Sequence, residues 1–390
     1  MSTLAKRVGS KMLVLSEADV RKCLSMKSCL EINRQALLSV ASDSAAAQVG
    51  GKGQVPLRIG LPGPVTASIS NTSTGTADDW TLFKPAAFYH HSSNSDNQPP
   101  NTTAAATTSA TTTTNESLMG MKIVSIRSQN PDRGLPLVTA TIAVLNTESG
   151  IVQAILNGTY LTGMRTAASS GLATQLMRPD LTHLVVFGAG LQAECHIDAI
   201  KTAIGRTIPK ITICNRSRPR AEQLKEKIRL LSFGESCDIV LLEDKAGVEK
   251  ALSTADVVAA TTNAMTPLFD GSVLPPGCHV NGIGSYTPEM QEIDINTVNR
   301  SRIIIDTHDA KTVGDLKHLQ DVRGHPMALL GDMLADTTSD SPWGTNIAGS
   351  ENIDCTFYKG VGTAIQDVMT ADLVVQRARE LGIGTEVDMS

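Results

Sequence analysis

Leu184-Val185-Val186-Phe187 runs straight into Gly188-Ala189-Gly190-Leu191-Gln192-Ala193, and no other stretch narrows the fold of this chain so far. Four consecutive apolar residues read as a buried strand, and Gly-x-Gly-x-x-Ala then opens a helix. The first glycine permits the tight turn, the second lets backbone approach a phosphate, and the small Ala193 lets helix pack on strand. A pyrophosphate laid there meets unpaired N–H groups and the positive end of the helix dipole. Gly188, Ala189, Gly190, Leu191 and Gln192 are therefore expected to bind a dinucleotide. Such turns also occur with no ligand, so the surroundings decide.

Downstream, strand and helix alternate: strand 184–187, helix 191–204, strand 211–214, helix 218–230, strand 238–242, helix 246–253 and strand 256–260. Strands near 279–283 and 302–306 follow, and 332–356 reads as loop. This alternation predicts an α/β, Rossmann-type parallel sheet covered by helices on both faces. The second strand runs into Asn215-Arg216-Ser217-Arg218, where an NAD-preferring fold usually carries an acid for the ribose hydroxyls. A carboxylate would repel a 2′-phosphate, whereas guanidinium pairs with it, so NADP(H) is favoured, with NAD(H) the alternative. Asn215, Arg216 and Ser217 are the residues expected at that ribose. Thr261 and Thr262 at one strand end, and Asn281 and Gly282 at the next, are small polar residues where ligands lie in open α/β sheets.

Upstream the pattern changes. Ser16 reads as an N-cap with Asp19 three residues on, and Val20, Leu24, Ile32, Ala36 and Val40 continue at helical spacing. Residues 42–54 are Ala/Ser/Gly-rich and read as loop. Residues 90–117 are almost wholly Ser, Thr, Asn, Ala and Pro, too poor in apolar surface to offset the entropy of ordering. They are expected to be a disordered insertion, a glycosylated stalk being the alternative. Strands 121–126, 138–145 and 151–156, separated by turns at 130–134 and 146–150, predict an antiparallel meander. Thr162 then caps a helix through Arg165, Ala168, Leu172 and Leu176, ended by Arg178-Pro179. A last helix from about Gly362 presents Ala364, Val368, Ala371 and Val375 on one face. After a complete nucleotide domain it should pack back on the first. The predicted domains are 1–160 with 345–390 for substrate binding and dimerisation, and 161–344 for the dinucleotide.

Bulk properties exclude several classes. With 390 residues and 41% hydrophobic content the chain can bury two domain cores. A net charge of −5, with no basic run, argues against nucleic acid. The seven cysteines (Cys23, Cys29, Cys195, Cys214, Cys237, Cys278, Cys355) never form Cys-x-x-Cys, and the eight histidines show no ligand spacing, so no metal is expected. No apolar run of about 18 residues suits a membrane span, and no signal-like core precedes Ser16. A cytosolic location is the default, an organelle the alternative.

Three cations in the first domain point to a shared purpose: Arg58, Lys122 and Arg165. Lys122 sits inside an otherwise apolar strand and Arg165 among small residues near a helix start. A charge so placed is costly unless something anionic meets it.

The stretch Gly158-Thr159-Tyr160-Leu161-Thr162-Gly163-Met164-Arg165-Thr166-Ala167-Ala168, the 188–193 loop, residues 281–288 and Lys359-Gly360-Val361-Gly362-Thr363-Ala364 resemble the ornithine cyclodeaminase/mu-crystallin family. The resemblance implies a homodimer performing NAD(P)-linked imine chemistry on α-amino or cyclic imino acids. It implies that Arg58, Lys122 and Arg165 grip the substrate carboxylate, and we place Thr141 with them and Val361 and Gly362 with the cofactor. Cyclodeaminases of the family carry an aspartate for the substrate amine, and Ser285 occupies its expected place here. The Gly284-Ser285-Tyr286-Thr287-Pro288 form resembles the ketimine-reductase branch instead. The expected activity is reduction of 1-pyrroline-2-carboxylate or 1-piperideine-2-carboxylate, with Lys122, Arg165 and Glu289 as catalytic candidates. A cyclodeaminase or alanine-type dehydrogenase, and a non-catalytic NADP-dependent ligand-binding protein, are the alternatives.

Overall fold

The computed structural model describes residues 11–56, 59–62, 79–90, 117–230, 236–321, 327–336 and 354–389. Strand β1 (Lys11–Leu15) leads into helices α1 (Glu17–Cys23), α2 (Met26–Ser39) and α3 (Asp43–Ala47). Ser16 caps α1 in a full capping box with Asp19. Strands β2 (Gly51–Gln54), β3 (Ile59–Pro62), β4 (Trp80–His90), β5 (Leu118–Ile126), β6 (Val138–Leu145) and β7 (Val152–Asn157) follow. The meander β5–β6–β7 is antiparallel, and β4 extends it by pairing with β5. Residues 42–54 are not a loop. Ala45 and Ala46 are buried, and a Cβ on Gly53 would stand 2.7 Å from Ser39 Oγ, so the small residues there serve close packing.

Period-2 alternation gives this sheet two different faces. On one, Ala86, Phe88 and Gly120 lie under the terminal helix, where a Gly120 Cβ would stand 3.1 Å from Val368. On the other, Phe83, Met121 and Ile123 are half-buried and Thr141 is exposed.

Helix α4 (Thr159–Met177) has Gly158 as its cap, four residues before the expected cap at Thr162, and a Cβ on Gly158 would stand 3.0 Å from Ile142. The alternation then appears as β8 (His183–Phe187), α5 (Leu191–Ile204), β9 (Lys210–Asn215), α6 (Arg218–Leu230), β10 (Ser236–Leu241), α7 (Lys245–Leu252), β11 (Val257–Ala260) and β12 (His279–Gly282). After these come α8 (Ile295–Asn299), β13 (Ser301–Ile305), β14 (Met327–Leu329), α9 (Leu330–Ala335), β15 (Cys355–Lys359), α10 (Ala364–Leu381) and β16 (Thr385–Asp388). The second sheet is parallel throughout, in the order β10-β9-β8-β11-β12-β15-β13-β14. All five residues of β8 are buried, as expected of a strand covered on both faces.

Within the stretch read as loop, 332–356, residues 337–353 and the expected division at 344/345 lie outside the described residues, but its two ends are not loop: α9 runs to Ala335 and β15 begins at Cys355. Strand β15 pairs in parallel with β12 and β13, so the chain leaves the nucleotide sheet only after Lys359. Helix α10 does return to the first domain, packing on α2, β4 and β5. Helix α4 joins the two domains by packing on both α2 and α5. Glycines set the α4–α5 spacing: a Cβ on Gly171 would stand 2.7 Å from the Ala199 carbonyl oxygen, and one on Gly163 would stand 3.1 Å from Leu191. One apolar core therefore runs from Leu15 and Leu156 through Leu161 to Ala199.

Candidate active site

A cavity of about 1200 Å³ opens between the two sheets, at the C-terminal edge of the parallel one. Its position follows from topology. The chain runs outward from β8 to β9 and β10 on one side and to β11 and β12 on the other, and ligands bind at that reversal.

The cofactor side comes from the β8–α5 turn. Gly188 has φ +106, a conformation that favours glycine. A Cβ on Gly190 would meet nothing within 4 Å, so backbone there is open to a ligand. Beside it the Gln192 side-chain oxygen is buried with no hydrogen-bond partner among the described residues, as at a place made for a polar ligand. These features fit a dinucleotide pyrophosphate, and Gly188, Ala189, Gly190, Leu191 and Gln192 all line the cavity. Asn215, Arg216 and Arg220 line it beyond β9, while Thr261, Thr262 and Gly284 line it beyond β11 and β12. Ser217 does not; its carbonyl accepts the Asn215 side-chain amide at 2.8 Å.

Across the cavity stand the cations. Lys84 and Lys122 are direct partners in the β4–β5 register, 5% and 1% exposed, and Arg165 of α4 is 5% exposed. One carboxylate, Asp367 in the first turn of α10, faces all three. Its Oδ1 accepts Lys122 Nζ at 2.6 Å and Arg165 Nε at 2.8 Å, and its Oδ2 lies 3.9 Å from Lys84 Nζ. Burial pushes the Asp367 pKa up, but Arg165, Lys122 and Lys84 outweigh it and hold the group at about 2. Burial, and then Arg165, push the Lys122 pKa well below the lysine range against the pull of Asp367. Lys84 also donates to the Gly362 carbonyl at 2.9 Å. The same sheet face continues from the lysines as Leu82, Val124 and Ile126 to Trp80, whose ring lies 5.9 Å from that of Tyr286.

Beneath the strand ends lies a second buried polar cluster. Lys359 Nζ donates to Ser285 Oγ at 2.5 Å and to Asp315 Oδ2 at 3.0 Å, and Ser285 Oγ also donates to Asp315. Glu292 accepts from Thr262 N–H at 2.6 Å, Thr262 Oγ1 at 2.7 Å and Gly284 N–H at 2.6 Å. Burial first, then repulsion by Asp315, push its pKa up to about 7.

Several expected site residues lie elsewhere. Ser285 is fully buried in the Lys359–Asp315 cluster and does not line the cavity. Glu289 is exposed and away from it. Thr141 points to the opposite face of the sheet from Lys122, one step out of phase with the inward residues Ala140 and Ile142. Asn281 is buried, donating to Thr174 Oγ1 at 3.0 Å and tying β12 to α4, and Gly282 packs under Phe357. The amides of Val361 and Gly362 are taken by Asp306, at 3.0 and 2.5 Å, although Val361 lines the cavity. Gly362, at φ +75, lets the Arg165 guanidinium pass where a side chain would collide. Arg58 lies outside the described residues.

Lys84, Asp367, Arg220 and Glu292 escaped the sequence reading. Two carried a signal. Lys84 interrupts an apolar strand as Lys122 does, and Asp367 falls on the buried stripe of Ala364, Val368 and Ala371.

The sequence model of the ornithine cyclodeaminase/mu-crystallin family matches residues 80–382. The chain is 27% identical to an uncharacterized cyclodeaminase of Dictyostelium discoideum, over 97% of this chain and 100% of that protein. It is 28% identical to a Delta(1)-pyrroline-2-carboxylate reductase of Bacillus cereus, over 69% and 80% of the two chains. Among solved structures it resembles Thermococcus litoralis Delta(1)-pyrroline-2-carboxylate reductase in complex with NADH and L-proline. That match has a TM-score of 0.74 and 26% identity, over 96% of this chain and 100% of the other.

Proposed function

Because the chain belongs to the ornithine cyclodeaminase/mu-crystallin family, we propose that this NAD(P)-dependent oxidoreductase reduces cyclic ketimine carboxylates, 1-pyrroline-2-carboxylate or 1-piperideine-2-carboxylate, to cyclic amino acids. The observation that carries this reading is the buried Lys122–Asp367–Arg165 cluster facing the dinucleotide crevice. Three cations with one close carboxylate leave positive charge for the ligand's carboxylate, and Lys84, Lys122 and Arg165 are its grip. The apolar strip of Leu82 and Val124 beside them suits a ring. When bound, the nicotinamide supplies the hydride that adds to C2.

The imine nitrogen takes up a proton as C2 takes the hydride, which makes one C–H and one N–H bond at the expense of the C=N π bond. Among the described residues no Asp, Glu or His lines the cavity, so we assign that proton to Lys122, the lining lysine with the lowered pKa. Asp367 fixes Lys122 and Arg165 and offsets the charge gathering on the nitrogen. Arg216 and Arg220 make the 2′-phosphate seat of NADP(H). The half-buried apolar face of the first sheet, with Ile59 62% and Leu61 51% exposed at its edge, supports a homodimer through that face. Seven unpaired cysteines suit a cytosolic location.

Oxidation of NADPH and NADH with each ketimine tests the reading. Turnover with both ring sizes or either one supports it. Formation of proline and ammonia from ornithine with oxidised cofactor, or of pyruvate from alanine, without ketimine reduction overturns it.

A further inference from the structure

Glu292 lies behind the cavity wall, 0% exposed, yet it holds that wall together. Its two carboxylate oxygens grip two different strand-end loops: Oε1 takes both donors of Thr262 after β11, and Oε2 takes the Gly284 amide after β12. Both residues line the cavity. The loops touch so closely that a Cβ on Gly284 would collide with the Thr262 carbonyl. In a sheet of this order, the β9 side takes the adenosine and the β11–β12 side takes the nicotinamide. We propose that Glu292 is a positioning residue for the nicotinamide end of the cofactor, setting through Thr262 and Gly284 the gap into which the ring fits.

The grip depends on ionisation. The partners at Glu292 include two backbone N–H groups, which can only donate. A proton on Oε2 would oppose the Gly284 N–H, and one on Oε1 would oppose the Thr262 N–H. Among the described residues, two charged groups face this carboxylate from the elements packed against it. Asp315, in the 3₁₀ segment Gly314–Asp321, repels it, and Lys359 of β15 attracts it. Asp315 itself is held low, against the push of burial, by Lys359, Ser285 and the amides of Glu292 and Ile293. Lys359 thus pairs with Asp315 at 3.0 Å, so among the described residues Glu292 has no ion pair and its pKa stands at about 7. The gripping state is lost on mild acidification.

The proposal rests on the cofactor site and not on the choice of imine, so binding tests it. NADH and ADP-ribose share the adenosine end, and neither titrates near neutrality. For the wild-type chain, the NADH Kd should rise about tenfold from pH 8 to pH 6, as the ionised fraction falls. The ADP-ribose Kd should stay constant. Glu292→Gln places an amide N–H against Gly284, so it should bind NADH about tenfold more weakly at pH 8, with no dependence on pH and unchanged ADP-ribose affinity. If that variant does not fold, Thr262→Val removes one donor and should weaken NADH alone. A flat wild-type profile overturns the proposal, as does equal weakening of ADP-ribose in either variant. NADH binding that follows this pattern in a chain reducing no ketimine keeps the proposal and removes the substrate reading.

Discussion

Lys84 and Lys122 stand directly opposite one another across β4 and β5, both buried, with the Asp367 carboxylate 3.9 Å from the first and 2.6 Å from the second. Like charges facing across a ladder destabilise a sheet. Asp367 meets part of that charge, and the carboxylate of the proposed ligand would meet the rest.

Lys84→Met should therefore separate stability from function. Removing one of two facing charges raises the melting temperature. Losing a charge-assisted bond of about 1.5–3 kcal/mol raises KM for the ketimine roughly 10- to 150-fold. Thermal melts and steady-state kinetics on the same preparation check both signs, and a lower melting temperature with unchanged KM contradicts the assignment.

Asp367→Asn leaves three buried cations without their carboxylate and should cost about 3–5 kcal/mol of stability. The wild-type group, lowered from 3.8 to about 2, contributes about 2 kcal/mol above pH 4. Its folded pKa lies below the unfolded one, so that part is lost as pH falls from 4 toward 2. Urea titrations across this window should show the gap between variant and wild type narrowing by that amount.

Arg165→Lys keeps the charge but loses the planar fork, so KM should rise by about two orders of magnitude with little change in fold. Unchanged kinetics on every imino acid tried would sink the carboxylate grip.

Replacing both Arg216 and Arg220 by alanine should raise KM for NADPH about 10- to 100-fold and leave that for NADH within about twofold. Equal effects on the two cofactors contradict the 2′-phosphate seat.

Residues 91–116 join β4 to β5, whose register already closes at Phe88 and Leu118. Replacing them with a four-residue turn should preserve activity and stabilise the fold by about 1–2 kcal/mol through shorter loop closure. A marked fall in melting temperature would refute this.

The parallel sheet was legible because strand and helix periods alternate cleanly and the glycine turn marks the start. Strand β15 was hidden for a topological reason: it enters between β12 and β13, out of chain order, and five residues give no period of their own. Lys122 and Arg165 could be singled out because charge among apolar neighbours is visible in a sequence. Ser285 and Glu289 were misplaced because a loop has no period to tell an inward side chain from an outward one. Thr141 failed by one residue of alternation. Glu292 lay beyond reading, since its role depends on Thr262, Gly284 and Asp315 meeting from separate segments.

The glycine contacts between α4 and α5 have a mechanical consequence. Arg165 rides on one helix, the phosphate loop opens the other, and Gly163 and Gly171 leave no slack between them. The two helices act as a ruler: the proposed substrate anchor and the proposed cofactor anchor would keep one separation however the walls around them breathe. A ligand too long or too short for that interval can bind and still never come within reach of the hydride.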